Sequence, residues 1–230
     1  MEHLTTTGTT GPKYARPVCG ACFDKYKPHK GRPSAKCPNC KARERHRLLW
    51  LYLKQKTNLF HAKLKVLHFS PEPWFRALRS LPNLDYLSAD LMPGRAMVAL
   101  DIRSMSFDSN VFDVMICSHV LEHVDDDRAA MREMHRVLRP GGWAAILVPM
   151  ANQKSTIEDP SVVSPLERTQ RFGQADHVRL YGRDIRNRLE FAGFAVRLEN
   201  YTSELSDHVI RTCGLKPRSQ GDIYLCAKPA

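Results

Sequence analysis

The chain has 230 residues, of which 43% are hydrophobic, so it can hold one full α/β domain and a small additional module. No segment approaches the roughly 20 consecutive apolar residues that span a membrane. The polar start lacks an apolar signal core, so a cytoplasmic protein without a membrane partner is expected. The formal net charge is +11, and residues 1–47 contribute +8 of it because they hold eleven Lys or Arg and three acids. Such a segment favours an acidic partner (nucleic acid, an anionic metabolite or an acidic protein), unless it is a solvated face without a partner.

Two Cys-x-x-Cys pairs, separated by fourteen residues, dominate the N-terminal region. They consist of Cys19, Cys22, Cys37 and Cys40. Each pair places two thiolates on one tight turn, and two such turns complete the tetrahedral sulfur site that zinc prefers. The polar segment between the pairs is too short to form a core by itself, so a metal must organise it. The spacing therefore predicts a zinc ribbon over residues 15–42, preceded by a disordered tail at residues 1–14.

A helix is predicted to link the ribbon to the main domain, within residues 43–62. Its apolar stripe is formed by Leu48, Leu49, Tyr52 and Leu53. Three arginines lie just upstream of this stripe, at positions 43, 45 and 47. Two interpretations of them remain open: they bind phosphate groups of a nucleic acid, or they pair with acidic residues of the main domain.

The main domain, residues 63–230, begins with a predicted strand at 64–69 and a helix over 70–81. Ser70 suits the N-cap of this helix, and Pro71 suits its first turn. Further strands are predicted at 84–91 and 97–102. Asp90 follows the end of the first strand by about 20 residues, which is the spacing of a carboxylate that binds ribose hydroxyls.

Residues 111–149 give the clearest pattern of the chain. A buried strand is predicted at 114–117, and an amphipathic helix follows the acidic run at 125–127. Pro140-Gly141-Gly142 is expected to end that helix before a second strand at 143–148. Strand, helix and strand form a right-handed crossover of a parallel sheet, whose ligands bind beyond the carboxyl ends of the strands.

The segments FDVMICSHVLEHV and RVLRPGG together resemble the class I S-adenosylmethionine-dependent methyltransferases, in particular the group with LEHV after the fourth strand. The resemblance runs from about Lys63 to the C-terminus. Together with the order of the predicted elements, it indicates a Rossmann-like sheet of seven mostly parallel strands with helices on both faces. It implies S-adenosylmethionine as cofactor, places Ser118 and His119 beside the transferred methyl group, and places Asp101 and Ile102 against the adenine.

The loop after the first strand departs from the pattern of that family. His68 stands where an acid is usual, and Ser70, Glu72 and Trp74 stand where glycines are common. Backbone N–H groups at the helix start could still bind the cofactor's carboxylate, and Glu72 its amino group. The predicted cofactor-binding residues are therefore His68, Phe69, Ser70, Glu72, Asp90, Asp101, Ile102 and Ser118.

A long segment without regular pattern follows residue 149 and is expected to cover the substrate. His177, Arg179 and Tyr181 alternate near its end, so an extended backbone would place all three side chains on one face, suited to an anionic or hydroxylated acceptor. Alternatively they belong to an ordinary surface loop. A helix at 184–192 and strands at 194–198 and 222–227 complete the predicted domain.

The sequence thus predicts a methyltransferase with a zinc ribbon, in which His119 or His177 acts as the base and Arg179 and Tyr181 bind the substrate. A small-molecule acceptor is slightly favoured. The alternative is a zinc-ribbon protein that binds nucleic acid, either as an RNA methyltransferase or with a methyltransferase fold that has lost catalysis. The resembled family includes members whose N-terminal zinc module helps to bind ribosomal RNA.

Overall fold

A central sheet of seven strands organises the computed structural model, which describes residues 17–20, 24–215 and 222–230. The order across the sheet is β10-β11-β7-β6-β3-β4-β5, and the last strand in the chain, β11, is antiparallel to both of its neighbours. The strands are β3 (Leu64–Phe69), β4 (Leu84–Asp90), β5 (Val98–Ala99), β6 (Phe112–Ser118), β7 (Leu138–Leu147), β10 (Ala195–Asn200) and β11 (Asp222–Ala227). The predicted seven-stranded, mostly parallel sheet is confirmed.

The N-terminal region contributes a hairpin and one long helix. Strands β1 (Lys27–His29) and β2 (Arg32–Lys36) pair antiparallel through a turn in which Lys30 and Gly31 both have positive φ. Helix α1 (Glu44–Lys56) follows directly. The predicted tail at residues 1–14 and Cys22 lie outside the described residues.

The helix predicted over residues 70–81 is shorter in the structure. A 3₁₀ turn occupies Pro73–Phe75, and helix α2 is confined to Arg76–Arg79. Ser70 does not cap the helix: its φ is +45°, and its backbone N–H donates to the Ala89 carbonyl at 2.7 Å, which prolongs the pairing between β3 and β4. The third predicted strand is also reduced, to the two residues of β5.

Helix α3 (Asp127–Val137) ends before the Pro-Gly-Gly segment, as predicted, but β7 already begins at Leu138. Residues 139–142 bulge from the sheet, because Phe112 pairs with Leu138 whereas Val114 pairs with Trp143. Gly142 lies at the base of this bulge, where a Cβ atom would come within 2.8 Å of the Asp113 carbonyl oxygen. Glycine is therefore required for strand β7 to stay against β6.

Helices cover both faces of the sheet, as the sequence predicts for a Rossmann-like fold. One face packs against α3 and α5 (Ile185–Phe191) through side chains such as Met115 and Ile146. The other face, with Val66, Ile116 and Ile223, packs against α1 and the region of α6 (Asp207–Thr212). Helix α1 shares this core with Val18, Tyr26 and Cys37 of the N-terminal region, so it is a layer of the main domain as well as a link.

Residues 150–182, which we call the lid, contain regular structure that the sequence did not reveal. Strands β8 (Ile157–Glu158) and β9 (Arg179–Leu180) pair antiparallel, and α4 (Pro165–Phe172) lies between them. Within the described part of the chain, no helix combines the length and the apolar character needed to cross a bilayer.

Candidate active site

A cavity of about 620 Å³ lies beyond the carboxyl ends of β3, β4, β5 and β6. This is the edge at which open α/β sheets bind their ligands, and the volume is that of a small-molecule site. Its lining residues are Phe69, Ser70, Ala89, Asp90, Leu91, Met92, Arg95, Leu100, Asp101, Ile102, Arg103, His119, Val120, His123, Val124, Asp125 and Asp176.

Five of the eight predicted cofactor residues line this cavity: Phe69, Ser70, Asp90, Asp101 and Ile102. Asp90 ends β4, and its Oδ1 accepts a hydrogen bond from the Met92 backbone N–H at 2.8 Å, which fixes the carboxylate at the rim. Asp101 forms a bidentate contact with the Arg103 guanidinium, and this hydrogen bonding lowers the pKa of Asp101. Asp101 is therefore held in its charged form beside the cavity.

The other three predicted cofactor residues, His68, Glu72 and Ser118, do not line the cavity. His68 is fully buried on the α2 side of the sheet, with its Nδ1 2.9 Å from the Tyr86 hydroxyl, and burial lowers its pKa to about 4. It points away from the cavity because side chains alternate along a strand and its neighbour Phe69 takes the cavity side. Ser118, the last residue of β6, is 3% exposed.

Glu72 is the third of these residues, and it contacts α1 instead of the cavity. Its Oε1 lies 2.9 Å from His46 Nε2 and 3.3 Å from Arg45 Nη2. Burial alone would raise the pKa of Glu72, but the hydrogen bond from His46 and the charge of Arg45 outweigh it and lower the pKa to about 2. Trp74 stacks on the His46 ring at 4.2 Å. The loop after β3 is thus attached to α1.

The contacts of the upstream arginines favour the second of their two interpretations, in which they pair with groups of the protein and do not bind phosphate. Arg45 contacts Glu72, and Arg47 is 1% exposed. The Arg47 guanidinium donates to four backbone carbonyls, those of Ala35, Ala42, Cys213 and Gly214, at 2.7 to 3.0 Å. Arg47 therefore joins the ribbon, α1 and the segment after α6, and it is not available to bind phosphate.

His119 lies at the cavity edge directly after β6, as predicted. Its φ of +57° turns the chain sharply out of the strand, while its backbone N–H still donates to the Leu147 carbonyl. The Nδ1 atom is 3.0 Å from Oε1 of Glu122, a residue with no exposed surface. With Nδ1 protonated, the carboxylate fixes the ring and leaves Nε2 able to accept a proton.

His177, the other predicted base, is 2% exposed and does not line the cavity. Its Nδ1 is 3.0 Å from the Phe172 carbonyl oxygen, and its Nε2 is 2.9 Å from the Gln174 side-chain nitrogen. Burial lowers the pKa of His177, so the imidazole is neutral near pH 7. His123 lines the cavity in its place, and its side chain is 35% exposed.

The predicted substrate-binding residues Arg179 and Tyr181 are also turned away from the cavity, at 4% and 0% exposure. Arg179 donates to the carbonyls of Leu121, Val124 and Asp125, and the Tyr181 hydroxyl donates to Asp127 Oδ2 at 2.7 Å. Their alternate spacing does put them near one another, but they hold the lid against the turn after β6.

Three of the six cysteines in the described residues form a cluster in the N-terminal region. Cys19, Cys37 and Cys40 have their sulfur atoms within 4.8 Å of one another, with 4.0 Å between the first two. The Cys37 backbone N–H donates to the Ala42 carbonyl, and Lys41 takes a positive φ, which closes a tight turn around the second pair. This is a donor set that could hold a thiophilic metal ion.

Sequence reasoning missed several residues of the cavity wall, notably Arg95, Arg103, Asp125 and Asp176. Arg103 stands two residues after Asp101, and the side-chain pair is visible only once the turn between them is formed. Asp176 belongs to the lid and lies 53 residues after His123 in the chain. The Nδ1 atom of His123 contacts the backbone carbonyl oxygen of Asp176. No local pattern relates such distant positions.

Residues 64–146 match the family model described as a methyltransferase domain. The matched segment runs from β3 almost to the end of β7 and carries four of the strands whose carboxyl ends border the cavity. Together with the sheet order, it defines a Rossmann-like α/β fold of the methyltransferase type.

Curated relatives and solved structures agree with this class. The chain is 42% identical over 55 residues to a 2-phytyl-1,4-naphtoquinone methyltransferase of Nostoc punctiforme, and 30% identical over 99 residues to a demethylmenaquinone methyltransferase of Chlorobaculum tepidum. These alignments cover 24% and 42% of this chain, and they span only 24% and 36% of the respective relatives.

An S-adenosylmethionine-dependent methyltransferase from Mesorhizobium loti aligns with a TM-score of 0.53 at 18% identity, over 78% of this chain and 96% of that one. The cyclase SpnF aligns equally well, with a TM-score of 0.53 at 13% identity, over 85% and 86% of the two chains. At these identities the likeness concerns the fold alone, which hosts more than one chemistry.

Proposed function

We propose that this protein is an S-adenosylmethionine-dependent methyltransferase that acts on a small-molecule acceptor. The observation that supports this most directly is the cavity at the carboxyl edge of the methyltransferase-domain segment, with Asp90 and Asp101 on one wall and His119 on the other. Carboxylates suit the hydroxyl groups of a nucleoside-type methyl donor. A proton-accepting side chain such as His119 suits a methyl acceptor that must lose a proton.

The donor set of the cavity fits the cofactor. The two oxygens of Asp90 suit the two vicinal ribose hydroxyls, and Asp101 with Ile102 would border the adenine. The backbone at Ser70, whose φ of +45° is unusual for a residue with a side chain, would hold the methionine end. When bound, S-adenosylmethionine supplies an electrophilic methyl group on a sulfonium.

His119 is proposed to take the proton from the acceptor. Glu122 holds Nδ1, which leaves Nε2 to accept the proton that the acceptor would lose when it takes the methyl group. The buried carboxylate stabilises the imidazolium that results. Positioning of the two reactants in the cavity would supply the remaining acceleration.

The acceptor is proposed to be a small, largely apolar molecule. The two relatives cited above are named for quinone substrates. Leu91 and Met92 line the cavity and are 64% and 52% exposed, which gives the opening an apolar border. Nucleic acid is not proposed as the substrate, because Arg45 and Arg47 are engaged within the protein.

We include zinc in the ribbon as part of this proposal, held by Cys19, Cys37 and Cys40 with Cys22 as fourth ligand. The convergence of three sulfur atoms supports it, because thiols without a metal have little reason to cluster. Thiolate ligands persist in a reducing compartment, so the proposed location is the cytoplasm.

Calorimetric titration with S-adenosylhomocysteine tests the function. Asp90→Asn is expected to weaken binding by about 1.5–3 kcal/mol, the range for hydrogen bonds to a charged group. Asp85→Asn is the matched control: this exposed residue lies on the same strand at its far end, and binding should not change. Absence of binding by the unaltered protein, or equal affinity in both variants, would contradict the proposal.

A further inference from the structure

A cluster of one carboxylate and two imidazoles lies beside the candidate active site. Glu122, His123 and His177 each offer one ligand atom, and these three atoms lie within 4.8 Å of one another. Glu122 and His123 belong to the turn after β6, whereas His177 belongs to the lid. The His123 and His177 rings meet at 4.8 Å between centroids and at 83°.

Both imidazoles are oriented as metal ligands usually are. The His123 Nδ1 is 3.1 Å from the Asp176 carbonyl oxygen, and the His177 Nδ1 is 3.0 Å from the Phe172 carbonyl oxygen. A carbonyl can only accept, so each Nδ1 carries the proton and each Nε2 carries a lone pair. In metal sites the outer nitrogen of a histidine commonly donates to a carbonyl in this way, which fixes the ring and its tautomer.

The carboxylate supplies the second, independent observation. Glu122 is completely buried, and its Oε1 is taken by His119, but its Oε2 has no hydrogen-bond partner among the described residues. A buried carboxylate oxygen without a partner is costly. A cation bound between this oxygen and the two imidazoles would remove that cost.

We propose that Glu122, His123 and His177 bind a divalent transition-metal ion, of which Zn²⁺ is the best match. Two imidazoles and one carboxylate form a common ligand set for zinc, and three protein ligands leave a further position for water or an acceptor oxygen. His177 Nε2 must exchange its contact with Gln174 for the metal.

An ion bound at this location would have two effects on the protein. It joins the turn after β6 to the lid, and it places positive charge next to the cavity that His123 and Asp176 line. An oxygen atom of a substrate in the cavity would be within reach of its open position. The ion is separate from the ribbon cysteines, and it does not depend on methyl transfer.

Zinc content of the full, reduced chain tests the proposal. After saturation with Zn²⁺ and removal of the excess, the unaltered protein is expected to retain two equivalents, one in the ribbon and one in this site. His123→Ala and Glu122→Gln should each retain one. His208→Ala, an exposed histidine on α6, is the matched control and should retain two.

The Cys37→Ala variant shows which of the two sites holds the remaining equivalent of zinc. Zinc that survives Cys37→Ala and is lost in His123→Ala supports the site, whether or not the ribbon is loaded. Circular dichroism verifies that the variants fold, which is expected because His123 is at the surface and Glu122→Gln preserves shape. A single equivalent that disappears in Cys37→Ala, or two equivalents kept in both site variants, would overturn the proposal.

Discussion

His119 is the single residue on which the proposed chemistry depends most. Replacing it with Ala should lower turnover by about 10²–10⁴-fold, because the proton acceptor is lost while the cofactor wall is untouched. Binding of S-adenosylhomocysteine should remain nearly unchanged. His61→Ala serves as control, since this histidine is exposed and outside the cavity.

Once an acceptor has been identified, the pH dependence of turnover completes this test. Turnover that remains within threefold of the unaltered protein in His119→Ala would show that positioning alone drives the reaction. In that case the partly buried ring of His119 would only shape the cavity wall.

Residue positions at strand ends could be predicted, but the directions of side chains in the lid could not. Asp90 and His119 follow buried strands, and all carboxyl ends of a parallel sheet meet at one edge, so their place at the cavity follows from the pattern. The alternate spacing of Arg179 and Tyr181 correctly indicates that their side chains lie on the same face of the segment. That this side faces Asp127 and the turn after β6 depends on contacts across more than fifty residues.

At the scale of elements, the contact between α1 and the loop after β3 should make stability depend on pH. His46 Nδ1 accepts from the Arg43 backbone N–H and Nε2 donates to Glu72, so the ring must be neutral. Burial lowers the pKa of His46 to about 4, below its unfolded value. The unfolded state therefore binds more protons, and stability is lost as pH falls from about 6.5 to about 4.

Unfolding by urea at pH 7 and pH 4.5 measures this effect. The loss from His46 is at most about 3 kcal/mol, and His46→Gln should reduce the difference between the two pH values. His208→Ala should keep the full difference. An equal pH dependence in His46→Gln and the unaltered protein would show that other groups, such as His68, cause it.

Arg47 gives a second prediction for the same helix. Arg47→Ala removes the donor for four buried carbonyls and should destabilise the protein by about 3–5 kcal/mol. Arg79→Ala, an exposed arginine at the end of α2, should change stability by less than about 0.5 kcal/mol. Urea midpoints compare the two, and similar values for both variants would contradict the role assigned to Arg47.

The elements themselves differ in how far the sequence specifies them. The long apolar strands β3 and β6 are clear in the sequence because burial on both faces requires continuous hydrophobic residues. Helix α2 could not be predicted at its true length, since its start is displaced by the contacts of Glu72 and Trp74 with α1. The pairing of β8 with β9 is likewise a tertiary contact with no local signal.

For the whole molecule, the ribbon and the sheet share one hydrophobic core, in which Tyr26 and Cys37 lie with Leu49 and Val66. Loss of the zinc proposed for the cysteine cluster should therefore lower the melting temperature of the entire chain in a single transition. Calorimetry of the Cys37→Ala variant is expected to show one transition at a lower melting temperature, together with the loss of one zinc ion. A separate early transition, with the main transition unchanged, would show that the ribbon unfolds independently.

The position of β11 has a consequence for biosynthesis. This strand lies between β7 and β10, so until residues 222–227 have been made β10 has no partner in the sheet and β7 is paired only with β6. Arg47 likewise cannot form its hydrogen bonds to the carbonyls of Cys213 and Gly214 until these two residues have been made. A ribosome-bound chain thus carries exposed strand edges until these residues are available, and association with other nascent chains competes with folding during that time.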